Sequence, residues 1–203
     1  MPSIYELKPR FQKFLSPLLS VLIRFKITPN HITVITLILS FIVGFMVAFF
    51  REFRWVVLLL PIFLFIRMAL NALDGMLART QNMSTKLGEI LNEVGDVLSD
   101  TFLYLPLLCY VSQSKIVFLL IFLFVFLSAM SEFCGVLSKA MINVRRYDGP
   151  MGKSDRAFLV GLYGLIYFFY TNVKDYSVLI FSIACVLLMV SSFNRLKGIL
   201  KYE

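Results

Sequence analysis

Apolar residues fall in long blocks separated by short polar turns. The blocks predict helical spans near 29–50, 54–78, 86–111, 115–141, 155–172 and 176–196. Continuous runs such as IVFLLIFLFVFLSAM suit helices, whereas a barrel needs alternating strands of about 10 residues. Ahead of the first span, Ile4, Leu7, Phe11, Phe14, Leu15, Leu18, Leu22 and Phe25 share one face at a helical advance of about 100° per residue. Lys8, Arg10, Lys13, Arg24 and Lys26 lie off that face, so residues 1–26 read as an amphipathic helix resting in the membrane interface. A helix facing a protein partner is the competing reading. Arg24 and Lys26 interrupt the segment, Pro9 and Pro17 are expected to break it, and no small-residue cleavage site follows, so it is not a signal peptide.

Composition narrows the class. With 59% apolar residues and a mean hydropathy of +0.83, the chain is too apolar for a water-soluble fold. The expectation is an all-α integral membrane protein, with residues 27–203 forming one domain of six transmembrane helices. Cys109, Cys134 and Cys185 lie in separate apolar runs, and the single His31 cannot complete a zinc or di-iron set. Of the 20 Lys and Arg residues, 15 fall in the N-terminal segment, the turn near 79–86, the loop near 139–156 and the C-terminus. The bias towards positive charge on the inner side predicts that these segments, and both termini, are cytoplasmic.

Against this background the stretch NALDGMLARTQNMSTKLGEILNEVGDVLSD, residues 71–100, holds five of the 12 acids. Relative to Asp96 on a helix, Asn92 lies at about −40°, Glu89 at +20°, Asp100 at +40° and Glu93 at +60°. Arg67, Asn71, Asp74 and Ala78 share an arc of about 60° on the preceding span. Consecutive antiparallel spans with polar faces are expected to look at each other. Carboxylates facing lipid would oppose insertion, so they pair with cations, line a wet cavity or bind ions. Oxygen donors without histidine or thiolate suit Mg²⁺ or Mn²⁺ and a phosphate-bearing substrate. Acids paired with Arg67, Arg79 and Lys86 for topology alone, or an ion or proton pathway, are the alternatives. Gly75, Ala78, Gly88 and Gly95 favour a ligand that approaches the backbone closely.

The stretch resembles the signature of the CDP-alcohol phosphotransferase (phosphatidyltransferase) family, D-x-x-D-G-x-x-A-R, eight residues, G-x-x-x-D-x-x-x-D. Asp74, Gly75, Ala78, Arg79, Gly88 and Asp96 match, whereas Asn71 and Asn92 stand at the first and third aspartate positions. The resemblance extends over the membrane domain and to a variant bacterial inner-membrane subgroup. It implies transfer of a phosphatidyl group from CDP-diacylglycerol, or a related CDP-alcohol, to a small alcohol with release of CMP. Mg²⁺ or Mn²⁺ is the implied cofactor. A homodimer among membrane lipids is implied as the assembly, with no nucleic-acid partner, on the cytoplasmic side of the bacterial inner membrane.

Carried over by residue, the resemblance makes Asp96 the general base. Asp74, Asp96, Asn71 and Asn92 form the metal set, and Gly75, Ala78, Arg79 and Gly88 the nucleotide pocket. TPNHIT, residues 28–33, adds Asn30 and Thr33 to that pocket; a helix start with Thr28 as cap and Pro29 in the first turn is the plainer reading. The amides remove two negative charges, for which Glu89, Glu93 and Asp100 are candidate compensators. In GPMGKSDR, Lys153 and Arg156 are expected at the acceptor or its phosphate, whereas Arg145 and Arg146 suit lipid headgroups. Glu132, mid-span, needs a partner, with Arg67 one candidate. A homologue that binds CDP-lipid without turnover is the alternative function, and an ion or proton transporter the next.

Overall fold

The computed structural model describes residues 4–111 and 113–201, with side-chain surroundings from residue 11 onward. The side chains of Ile4, Leu7, Lys8 and Arg10 lie outside the described residues. Seven α-helices follow one another: α1 (Ile4–Arg24), α2 (Pro29–Phe49), α3 (Leu59–Thr80), α4 (Lys86–Tyr104), α5 (Lys115–Ile142), α6 (Lys153–Phe169) and α7 (Ser177–Leu200). Short 3₁₀ turns, Arg54–Leu58, Leu105–Cys109 and Thr171–Tyr176, precede α3, follow α4 and precede α7.

The boundaries have local causes. Thr28 accepts a hydrogen bond from the His31 N–H at 3.4 Å while Pro29 opens α2, where its missing N–H costs nothing. Thr85 caps α4 through the Gly88 N–H at 3.0 Å, and Ser114 caps α5 through Val117 at 3.2 Å. Asn143 closes α5 at φ 55°, a left-handed conformation that asparagine tolerates better than most residues. The third predicted span does not stay α-helical to residue 111. It tightens into a 3₁₀ turn after Tyr104, beside Pro106, which has no N–H to continue the ladder. Pro9 and Pro17, expected to break the N-terminal segment, lie within a continuous α1.

The apolar face of α1 divides. Leu15 and Leu19 are buried in a cluster with Leu73 and Leu77 of α3 and Ile32 of α2, and Phe11 meets Phe65 edge-on at 6.4 Å. Phe14 and Phe25 remain exposed. The helix thus has a protein-facing side as well as an open apolar side.

The main core lies among α3, α5, α6 and α7, with α5 against α7, α3 against α6, and α2 crossing both α3 and α4. At Gly44 of α2 a Cβ would overlap the Phe102 carbonyl of α4, so this crossing requires glycine. Four segments are long and apolar enough to cross a bilayer: Pro29–Phe49, Arg54–Thr80, Lys115–Ile142 and Thr171–Leu200. α4 and α6 are not among them. They carry the charges that face the site.

Candidate active site

α3 and α4 face each other through their polar stripes, as the arcs predict. Arg67 on α3 donates to Asp100 on α4 at 2.5 Å, and its other terminal nitrogen reaches the Asp96 carbonyl at 3.1 Å and carboxylate at 3.4 Å. One turn further along α3, Asn71 donates its amide N–H to Asp96 Oδ1 at 3.3 Å. Lys153, at the start of α6, forms an ion pair with Asp96 Oδ2. Gly152 positions this end of α6: its N–H donates to the Asp155 carboxylate at 2.8 Å, one half of a capping box, since glycine has no side chain to return the bond.

Two cavities flank this cluster. One, of about 200 Å³, opens between α2, α3 and α4, and its walls include Asn30, Thr33, Asp74, Gly75, Ala78, Arg79, Gly88 and Asn92. All the residues expected at the nucleotide therefore line one space. Asp74 is 6% exposed and accepts from Thr33 at 3.4 Å; among the described residues it has no ion-pair partner. A Cβ on Gly88 would stand 2.8 Å from the Asn30 amide oxygen, so glycine here sets the width of the cavity. Arg79 is exposed and bends back towards Gly75. The Thr28 and Pro29 helix start is also present, so TPNHIT serves both readings. The second cavity, of about 180 Å³ between α3 and α6, includes Arg67, Asn71 and Lys153 in its walls.

Behind Asp96 runs a chain of buried ion pairs. Asp100 binds Arg67 and also Arg156 of α6 at 2.9 Å; Arg156 binds Glu132 of α5 at 2.8 Å; Glu132 binds Arg145 at 2.8 Å; and Arg145 returns to α4 at Glu93. Several expectations change as a result. Arg156, expected at the acceptor, is 0% exposed, turned to Asp100 and Glu132, and lines neither cavity. Glu132 pairs with Arg156 and Arg145, with Arg195 at 3.9 Å, and not with Arg67. The three candidate compensating acids are each already paired: Glu93 with Arg145, Asp100 with Arg67 and Arg156, and Glu89 with Lys139 at 2.7 Å. Arg145 turns to these acids, and Arg146 to Asp148 and the Gly198 carbonyl, in place of lipid headgroups.

Arg195 was not legible in the sequence as part of this set. It is 1% exposed, donates to the Ser131 and Asp148 carbonyls, and ties α7 to α5 and the loop before α6. Its position one turn beyond Ser191 on the core face of α7 was the available signal. In that loop, the hydrogen bond from Arg146 at 2.7 Å holds the Asp148 carboxyl below its ordinary range.

The donor chemistry fits a hard divalent cation. Asp74 and Asn92 offer carboxylate and amide oxygens to one cavity, and a substrate's phosphates supply further ligands to such ions. Among the described residues no group of three Asp, Glu, His or Cys side chains is arranged to hold a metal, so the protein would supply few of the ligands. The arrangement sets a cavity whose wall carries the exposed Arg79 guanidinium beside a second cavity whose wall carries Lys153, the ammonium that pairs with Asp96.

A family model described as CDP-alcohol phosphatidyltransferase matches residues 26–191. The chain is 46% identical over 198 residues to inner membrane protein YnbA of Escherichia coli (strain K12), covering 98% of this chain and 96% of that protein. Its fold is similar to that of Mycobacterium tuberculosis phosphatidylinositol phosphate synthase (PgsA1) with CDP-DAG bound. The TM-score is 0.76 at 15% identity, over 92% of this chain and 94% of that one. The same enzyme in complex with manganese and citrate gives a TM-score of 0.74 at 16% identity, over 90% and 87% of the two chains.

Proposed function

Because this chain belongs to the CDP-alcohol phosphatidyltransferase family, we propose that it moves a phosphatidyl group from CDP-diacylglycerol to a small alcohol and releases CMP. The observation that carries the reading is the cavity between α2, α3 and α4: Asp74, Gly75, Ala78, Arg79, Gly88 and Asn92 all line it, with Asp96 one helical turn beyond Asn92 on α4. The PgsA1 structures, one with CDP-DAG and one with manganese, support the choice of donor and cofactor.

In this reading the nucleotide occupies that cavity and Arg79 faces its phosphates. Mg²⁺ or Mn²⁺, when bound, neutralises charge on the phosphates and the departing CMP. Asp96 takes the proton of the acceptor hydroxyl as its oxygen bonds to phosphorus and the bond to the CMP oxygen breaks. Lys153 draws the acceptor towards Asp96 from the second cavity. The protein crosses the inner membrane six times, α4 and α6 completing the four more apolar spans. α1 lies in the interface ahead of a single domain at residues 27–203, and both termini and the site face the cytoplasm. A homodimer is the working assembly.

The test is CMP release by the purified protein in mixed micelles with CDP-diacylglycerol, Mn²⁺ or Mg²⁺ and a panel of alcohols. Metal-dependent release should fall by about 10² to 10⁴ in Asp96→Asn, the range typical of a lost general base. Absence of CMP with every alcohol would overturn the transferase reading. Asn71 and Asn92 favour a second reading, a CDP-lipid binder without turnover, which predicts CDP-diacylglycerol binding with no CMP release.

A further inference from the structure

We infer that this chain holds one divalent ion, beside Asp74 and Asn92, and that Asn71 keeps Asp96 out of the metal site by hydrogen bonding it as a dedicated base. The inference rests on the transferase reading for the role of Asp96. It assigns the two signature amides different functions.

The amides do not share a space. Asn92 lines the α2–α3–α4 cavity with Asp74, and Asn71 lines the α3–α6 cavity with Arg67 and Lys153. Asn71 commits its amide nitrogen to Asp96 and opens onto the α3–α6 cavity. At 3.3 Å the Asn71 amide nitrogen donates to Asp96 Oδ1; the reverse orientation would set two acceptors against each other. An aspartate at 71 would place two like charges there and require a cation between them. The asparagine satisfies Asp96 with no ion present.

The rest of the Asp96 shell has the same character. Oδ1 also receives Arg67 at 3.4 Å, and Arg67 is fixed in turn by Asp100 at 2.5 Å. Oδ2 carries the Lys153 ammonium, whose side chain is 31% exposed and so able to move off for an acceptor hydroxyl. Oδ1 is thus held by two donors on α3, whereas Oδ2 meets Lys153, which lines the α3–α6 cavity. A metal ion on Asp96 would meet the positive charges of Arg67 and Lys153 at once.

Asp74 has the opposite surroundings. Its hydrogen-bond donor among the described side chains is the neutral Thr33 hydroxyl, and it carries no ion pair. Asp74 is therefore the signature carboxylate with oxygens to spare for a cation. Asn92 adds an uncharged oxygen donor on the same cavity wall.

Metal stoichiometry tests this without reference to turnover. Mn²⁺ binding to the purified full-length protein in detergent, with saturating CDP, is measured by electron paramagnetic resonance, and melting temperatures show that each variant is folded. The expected result is one Mn²⁺ per chain. Asp74→Asn should weaken it by about 10- to 100-fold, as loss of a ligand or its close support does. Asp96→Asn should keep the ion within about threefold, well below that ligand-loss range. Asn71→Asp should admit a second ion. Two ions in the natural protein, no ion at all, or loss of the ion in folded Asp96→Asn would each overturn the inference. CMP release with two ions would leave the transferase reading standing while this inference falls. One ion retained in Asp96→Asn without CMP release from the natural protein would uphold the one-ion assignment and remove the transferase reading.

Discussion

On the α5–α6 flank of Asp96, Arg67, Asp100, Glu132, Arg156 and Arg195 are each at most 5% exposed, and each is within ion-pair distance of an opposite charge. On the α2 flank, Asp74 is almost as buried yet among the described side chains finds no cation, its side-chain donor being the Thr33 hydroxyl, and Arg79 is exposed. The first arrangement is complete within the protein, because an unpaired ion in an apolar medium is costly. In the proposed reading the second takes its charge from outside, a cation for Asp74 and an anion for Arg79. Paired and unpaired acids on the same helix pair thus separate the part of the site that holds shape from the part that receives ligands.

The sharpest way to break this contrast is Arg156→Met, which removes the cation shared by Asp100 and Glu132 and leaves Arg67 to the first and Arg145 and Arg195 to the second. It should cost about 3 to 5 kcal/mol, the usual penalty for removing one partner of a buried pair, read as a lower melting temperature in detergent. Arg156→Lys, which keeps the charge without the fork of guanidinium donors, should recover part of that loss. If Arg156→Met melts like the natural protein, the network does not hold the fold. Asp74→Asn should change melting by less than about 1 kcal/mol, as substitutions that break no pair do.

Two glycines give the next comparison. Gly44→Ala drives a methyl into the Phe102 backbone and should cost about 1 to 3 kcal/mol, typical of overpacking, because a carbonyl in a helix cannot move aside. Gly88→Ala meets the ends of two side chains, Asn30 and the capping Thr85, and no neighbouring backbone, so its stability cost should stay under about 1 kcal/mol. Its effect should appear instead as weaker cytidine nucleotide binding, measured by calorimetry. Equal melting losses in the two variants would erase the distinction between packed and ligand-facing glycines.

The smallest effect concerns Asp148, whose bond from Arg146 lowers its pKa. A group with a lowered folded value contributes stability above its unfolded pKa of about 4 and loses it as pH falls through the folded value. The pair is exposed, so the difference between the natural protein and Asp148→Asn should be under about 0.5 kcal/mol at pH 7 and vanish at lower pH. Melting curves across that range check it.

Helix order was readable because lipid-length apolar blocks and their caps are local signals. Asp74, Gly88 and Asn92 were found by spacing, and the α3–α4 facing by helical arcs. The partners of Glu132 were not, because Arg145, Arg156 and Arg195 lie 13, 24 and 63 residues further along, on three different elements. Arg156 read as a ligand-binding cation because position in a loop motif says nothing about which way a guanidinium turns once three helices surround it. The division of the two amides between two cavities likewise depends on where α6 sits.

The ion pairs also order the biogenesis of the chain. Arg67 precedes Asp100 by 33 residues, so the nascent α3–α4 hairpin can enter the bilayer with that acid already neutralised. Glu132 emerges before any of the arginines it binds in the mature fold, and α5 enters on its long apolar run. Arg195 arrives only in the final helix. A chain halted before α7 would therefore already hold Glu132 between Arg145 and Arg156, but would leave the Ser131 and Asp148 carbonyls without the guanidinium that ties the last helix to them.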